Sequence, residues 1–160
     1  MNKQEIYGLL KEKSIWHEIT EHGEVYTMED LSHVELPYPE ADAKNLFVRD
    51  DKKRNYYLIT VTGDKRVDLK EFKNKYGTAK LSFASADDLM AIMGLIPGAV
   101  TPLGLLNDAQ CKVKLFLDSA FAGGLIGVHP NENTATVWLK TEDLINLIRE
   151  SGNEVQLVEI

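Results

Sequence analysis

One cysteine in 160 residues, Cys111, excludes an internal disulfide and any cysteine-rich metal cluster, a usage that suits a reducing compartment. Alone it reads as a small buried hydrophobe. No apolar run approaches the ~20 residues that a bilayer-spanning helix requires. The first residues, MNKQEIYGLLKEK, are charged and periodic and lack the apolar stretch of a signal peptide, so a cytoplasmic location is expected. Neither HExxH nor a Cys/His cluster occurs, and His17, His22 and His33 are dispersed, so no metal site is expected. Gly94, Gly98 and Gly104 form neither GxGxxG nor a P-loop, which leaves no sign of a nucleotide cofactor. There is no GxSxG elbow, and no serine carries the signature of an activated nucleophile. With no repeat, low-complexity tract or Gly/Ser linker, residues 1–160 read as a single domain.

What is present is an ordinary globular composition, 44% hydrophobic and 27% charged, with an uneven charge. The net charge is −7, yet residues 44–80 carry eleven of the eighteen basic residues against five acids; that segment is +6 and the remainder −13. Local potential decides whether a phosphate backbone is attracted, so the acidic total does not exclude a nucleic-acid partner. The segment reads either as a basic patch or as a solvated face of charged turns and one amphipathic helix.

Periodicity predicts interleaved helices and strands. Helices are expected over residues 3–13, from Thr27 with Asp30 completing an approximate capping box, over Val67 to Tyr76 stopped by Gly77, over Ala86 to Met93 capped by Ser85, and from Thr141 to about Glu150. Strands are expected at Ser14 to Ile19, Lys44 to Arg49, Tyr56 to Val61, Leu81 to Phe83, Leu103 to Leu106, Val113 to Leu117, Leu125 to Val128, Ala135 to Leu139 and Val155 to Ile160. This order lacks regular βαβ repetition. It predicts an α/β fold with a mixed, strongly curved sheet and helices packed outside it.

Three features bear on chemistry. Lys44 opens a strand that otherwise runs into a core, so it either snorkels or aims its ammonium at something negative in a pocket. The loop from Gly94 to Pro102 contains Pro97-Gly98, suited to a tight turn in which Pro presets φ and Gly accepts positive φ. Such a loop either connects helix to strand or points N–H groups at a carbonyl and limits substrate size. His129 follows an apolar strand and is held extended by Pro130; it is either a structural histidine or a hydrogen-bonding partner of substrate or water. Asp87-Asp88 and Glu142-Asp143 lie at helix starts, where the dipole accounts for them, and Ser119 reads as a cap for the short turn at Ala120-Phe121. A protein nucleophile or dedicated base is hard to find.

His22-Gly23-Glu24-Val25-Tyr26-Thr27, KNLFVRD from Lys44, GLIPGAVTPLGLLND from Gly94, Leu117-Asp118 and VHPNENTAT from Val128 follow one another across nearly the whole chain. In this order they resemble the YbaK/ProX aminoacyl-tRNA deacylases, free-standing relatives of the editing domain of bacterial prolyl-tRNA synthetase. The resemblance implies a barrel-like mixed sheet and hydrolysis of the ester joining an amino acid to a mischarged tRNA, without metal or cofactor. It implies that Lys44, Asn45 and His129 are catalytic and that Thr27, Pro97, Gly98, Ala99, Thr101 and Pro102 bind substrate. KNLF with HPNENTAT most resembles the subgroup that clears alanine from tRNA for proline, with the cysteine-clearing subgroup next. A non-catalytic module that binds aminoacyl-tRNA or an amino acid is the alternative of another class. The implied partners are the aminoacylated 3′ end of tRNA and, as a further candidate, prolyl-tRNA synthetase. An activated ester needs only positioned water and a stabilised oxyanion, with the neighbouring ribose hydroxyl as an assisting group, which suits a chain without a visible nucleophile.

Overall fold

Local capping signals set most helix ends in the computed structural model, which describes residues 1–24, 27–31 and 34–160. Val25, Tyr26 and His33, named above from the sequence, lie outside the described residues. Helix α1 (Lys3–Glu12) opens with a capping box: Asn2 Oδ1 accepts from the Glu5 N–H while the Glu5 carboxylate accepts from the Asn2 N–H. Its Ile6 and Leu10 are fully buried. The Thr27 hydroxyl accepts the Asp30 N–H at 3.1 Å and starts the four-residue α2 (Met28–Leu31). Helices α3 (Leu69–Tyr76) and α4 (Ala86–Met93) are capped by Asp68 and Ser85 and end at Gly77 and Gly94, both left-handed at φ 70° and 66°. The last helix, α5 (Thr141–Glu150), buries Leu144, Leu147 and Ile148.

Eight strands complete the chain: β1 (His17–Glu21), β2 (Ala43–Asp50), β3 (Tyr56–Thr62), β4 (Leu81–Phe83), β5 (Val113–Asp118), β6 (Leu125–Val128), β7 (Ala135–Lys140) and β8 (Val155–Val158). They form a mixed five-stranded sheet, ordered β4-β2-β3-β5-β8, and an antiparallel three-stranded sheet, β1-β7-β6. Strands β3, β5 and β8 run parallel, and β2 is antiparallel to both neighbours. An isolated parallel bridge between Asp42 and Gly127 joins the sheets. The result is the expected curved, mixed α/β architecture, left open at its edge strands and not closed into a barrel.

Strand alternation sorts the apolar residues into two cores. Phe47, Leu58, Leu115 and Leu117 face Ile126, Val128 and the helices α1, α4 and α5. On the opposite face of the larger sheet, Val48, Ile59, Val61 and Phe116 pack against Phe72 of α3. The bridge region is close-packed by its own device. A Cβ on Gly127 would lie 2.3 Å from the Trp138 ring, so glycine alone lets the indole cross it. Trp138 is fully buried, donates Nε1–H to the Thr20 hydroxyl at 2.9 Å and meets Tyr38 edge-on.

Several expectations are corrected. The first strand begins at His17, because Ser14 turns back at φ 55° and the Ile15 N–H returns to Leu10 O, which uses the intervening residues to leave α1. Leu103 to Leu106 is not a strand but part of a 3₁₀ helix, Pro102–Asn107. Thr101 caps it, Pro102 presets its first φ, and Leu103, Gly104 and Leu105 are buried on all sides, a pattern that periodicity alone does not separate from a core strand. Asp118, not Ser119, caps the turn at Ala120-Phe121, accepting the Ala120 N–H at 3.1 Å. Cys111 is exposed and left-handed at φ 51°, a turn residue and not a core one.

Candidate active site at the junction of the two sheets

The Asp42–Gly127 bridge brings the head of β2 beside the end of β6, with the two chains running in the same direction. Lys44 and His129 each lie two residues beyond it, and the two-residue period of extended chain gives them the same face as Asp42 and Gly127. Two landmarks 85 residues apart in sequence thus converge on one seam.

Lys44 is half-buried, and its ammonium donates to the Lys65 carbonyl oxygen. Among the described residues no carboxylate lies within ion-pair distance of it; after the Thr62 hydroxyl and Lys65, its charge also helps to hold the Asp64 carboxyl below its ordinary value. The Lys65 ammonium goes elsewhere, to Asp118 at 2.6 Å and Ile160 O at 3.1 Å. Asp118 is 1% exposed. A buried carboxylate therefore fixes Lys65, and the backbone of Lys65 fixes Lys44.

Asn45 follows Lys44 in an extended strand and so points to the other face, where its Oδ1 accepts the Thr60 hydroxyl at 2.6 Å across the β2–β3 pair. The sequence pair Lys44-Asn45 is thus split between the two sides of the sheet.

The loop after α4 is tied to the seam. Pro97–Ala99 form a 3₁₀ turn closed by the Ala99 N–H on Ile96 O at 3.0 Å. Gly98 is not among the left-handed glycines, so the turn does not need the positive φ expected there. Pro97 is exposed, Gly98 half-buried, and Ala99, Thr101 and Pro102 buried. The fully buried Thr101 donates its hydroxyl to His129 O at 2.7 Å and accepts the Leu103 N–H at 3.3 Å. It couples the loop to the histidine. Thr27 is exposed, its hydroxyl already accepting at the start of α2.

His129 Nδ1 lies 2.9 Å from Ala135 O. A carbonyl only accepts, so Nδ1 carries the proton and Nε2 keeps its lone pair whenever the ring is neutral. Burial, opposed by the Ala135 hydrogen bond and aided by the neighbouring His22, lowers the His129 pKa below the usual imidazole value. His22 stands edge-on to it, 6.1 Å between centroids, its Nδ1 2.8 Å from Gly23 O and its Nε2 3.1 Å from the Thr136 hydroxyl. Much of the HPNENT stretch has structural partners. Asn131, at φ 64°, donates to Met1 O, Glu132 accepts the Lys3 N–H, and Thr134 O accepts the His22 N–H.

Asp42 is a site feature that sequence reasoning missed. It is 6% exposed, and burial pushes its carboxyl up to about 7, only partly offset by the Ala43 N–H. Its one legible signal is its place two residues before Lys44. Lys65 and His22 were likewise missed as site residues, because nothing local marks a lysine whose carbonyl matters or a histidine that meets another edge-on.

Comparison with known proteins identifies the family. Residues 22–147 match the aminoacyl-tRNA editing domain family. The chain is 39% identical over 159 residues to the prolyl-tRNA editing protein ProX of Acetoanaerobium sticklandii, spanning 99% of this chain and 97% of that protein. It is 34% identical over 142 residues to the prolyl-tRNA synthetase associated domain-containing protein 1 of Mus musculus, spanning 86% and 83%. A solved structure described as a candidate trans-editing enzyme for prolyl tRNA synthetase superposes with a TM-score of 0.70 over 99% of this chain and 96% of that one at 19% identity, a likeness of fold. With the match covering most of its length and its motifs gathered at one seam, the chain belongs to the aminoacyl-tRNA editing domain family.

Proposed function

We propose that this member of the family hydrolyses the ester of mischarged tRNA in trans, with Ala-tRNA(Pro) as its substrate, acting as one domain over residues 1–160 in the cytoplasm. The observation that carries the reading is the Asp42–Gly127 bridge, which sets Lys44, held by a backbone carbonyl, and His129, whose Nδ1 faces Ala135 O, each two residues beyond the sheet junction. Lys44 holds the 3′ end through phosphate or carbonyl oxygen. His129 Nε2 accepts a proton from water as the water oxygen attacks the ester carbonyl carbon, and as the ester C–O bond breaks that proton passes to the departing ribose oxygen, releasing the amino acid and the ribose hydroxyl and restoring the neutral imidazole. The oxyanion is assigned to backbone N–H groups around Gly98, other than that of Ala99, which closes its own turn on Ile96 O. Asn45, fixed by Thr60, supports the strand from the far face. Pro97, Pro102 and Thr101 wall the acyl group, and Thr27 borders the adenosine side with its own O–H still able to donate.

The substrate class draws support from relatives named for prolyl-tRNA editing and prolyl-tRNA synthetase association, which also make the synthetase a candidate partner. The choice of alanine over cysteine rests on the resemblance of KNLF and HPNENTAT to the alanine-clearing subgroup. The basic residues suit a long ligand. Lys52, Lys53 and Arg54 are exposed in the β2–β3 turn, at the opposite end of β2 from Lys44 and roughly 20 Å away at ~3.3 Å per residue. That separation lets the turn meet acceptor-stem phosphates while the 3′ end sits at the seam.

Multiple-turnover deacylation by purified protein tests the reading. The wild type is expected to release alanine in excess of enzyme, and folded Lys44→Ala to lose most of that turnover, with Lys44→Arg also impaired because a planar fork does not replace a compact ammonium. Protection of the ester would instead identify a binding module. Cys-tRNA(Pro) as the better substrate would identify the cysteine-clearing reading.

A further inference from the structure

The candidate site as built contains a cation, a neutral imidazole and backbone N–H groups, yet an aminoacyl ester carries a charge that none of them recognises. Its α-ammonium sits one carbon from the carbonyl under attack. We infer that Asp42 receives this α-ammonium and so makes the enzyme selective for a free amino group; the inference rests on the deacylase reading above.

Position supports it first. Asp42 lies two residues before Lys44 on the same strand face, about 7 Å away along the chain, at the bridge that joins the sheets. On the deacylase reading, an ester carbonyl held by Lys44 would direct its α-carbon and amine toward the Asp42 side of the bridge. Asp42 borders open space: with Pro39, Glu40, Thr62, Gly63 and Asp64 it lines a cleft of about 630 Å³ on the side of the bridge away from the β2–β3 turn. Electrostatics agree. Asp42 is buried without a cationic partner among the described residues, its one stabilising contact being the Ala43 N–H, while Lys65 pairs with Asp118. A buried carboxyl lacking a counter-charge is destabilising in the free protein, and a ligand cation removes that penalty. The neighbouring Glu40 and Asp64 add negative potential at the cleft without neutralising it. Lys44 on the phosphate or carbonyl side and Asp42 on the amine side match the dipolar end of an aminoacyl ester.

The test compares alanyl-tRNA with lactyl-tRNA on the same tRNA body, the latter carrying a hydroxyl where the former carries an ammonium, with each kcat/KM divided by the spontaneous hydrolysis rate. A charge-assisted hydrogen bond predicts a wild-type preference for alanyl-tRNA of about ten- to a hundredfold. In Asp42→Asn the preference is expected to fall to within about threefold, through loss on alanyl-tRNA with lactyl-tRNA little changed. Asp42→Ser serves as the second variant should the amide fail to fold. Equal losses on both esters, or an unchanged preference, would show Asp42 to be structural and overturn the inference. Wild-type parity between the esters would also overturn it while leaving the deacylase reading intact. No turnover of alanyl-tRNA by wild type would remove the deacylase reading itself.

Discussion

Replacing Asp42 with asparagine changes the shape of the stability curve against pH, and the structure sets both sign and size. Burial raises this carboxyl from 3.8 to about 7, so between those values the folded chain holds a proton that the unfolded chain has released. Stability therefore falls as pH rises from about 4 toward 7 and levels off above it. A shift of about three units at 1.36 kcal/mol each amounts to about 4 kcal/mol, of which about 2.5 kcal/mol lies between pH 5 and pH 8. With the side chain 6% exposed, solvent screening does little to reduce this, and Glu40 and Asp64 beside the same cleft supply no compensating cation. Asparagine keeps the shape and cannot ionise, so Asp42→Asn loses this part of the pH dependence. Urea unfolding at the two pH values reads the effect directly. The variant is expected to gain about 2.5 kcal/mol on the wild type between pH 5 and pH 8, a relative midpoint shift of about 1–2 M at ordinary urea sensitivities. A wild type and variant that stay in constant proportion across this range would mean that Asp42 titrates as an exposed carboxyl, and the burial argument would fail.

Two further outcomes follow from the same geometry. Neutralising Lys52, Lys53 and Arg54 together is expected to raise KM for tRNA and flatten its dependence on salt with less change in kcat, because the turn lies at the far end of β2 from the reacting ester; salt-dependent binding unchanged by the triple substitution would reduce the patch to a solvated turn. The His129 imidazole is expected to titrate below the usual 6.5 in an NMR pH series, since burial disfavours its charged form, and a midpoint at or above that value would place a charged ring at the seam.

How much of this was legible in the sequence depends on how local each cause is. Ser85, Gly77 and Gly94 act within a turn of their helices, and the elements they delimit lie where the sequence places them. Lys44 was legible as an anomaly, a charge opening an apolar strand. By contrast, Leu103, Gly104 and Leu105 are all buried, and burial of consecutive residues erases the periodicity that separates a 3₁₀ helix from a strand. Gly98 misled because Pro-Gly suggests a left-handed glycine, while a 3₁₀ turn accepts ordinary φ. Beyond its place two residues before Lys44, Asp42 carried no local mark, because it lies at a bridge to Gly127, 85 residues away, and the split of Lys44 from Asn45 emerges only when the strand is placed between two cores. The same long-range contact that hid Asp42 brings the candidate site residues together.

Selectivity among esters on one tRNA body tests the central claim most directly. An apolar pocket gains only ~1 to 3 kcal/mol per methylene, so attraction alone would favour proline over alanine and destroy the correct product. Sparing proline requires exclusion, and the loop of Pro97, Ala99 and Pro102, anchored to His129 O through Thr101, is a stiff wall suited to it. Initial rates of hydrolysis of Ala-, Cys- and Pro-tRNA(Pro) at equal concentration are expected to be highest for alanine and lowest for proline. Hydrolysis of Cys-tRNA(Pro) or Pro-tRNA(Pro) faster than Ala-tRNA(Pro) would contradict the alanine assignment.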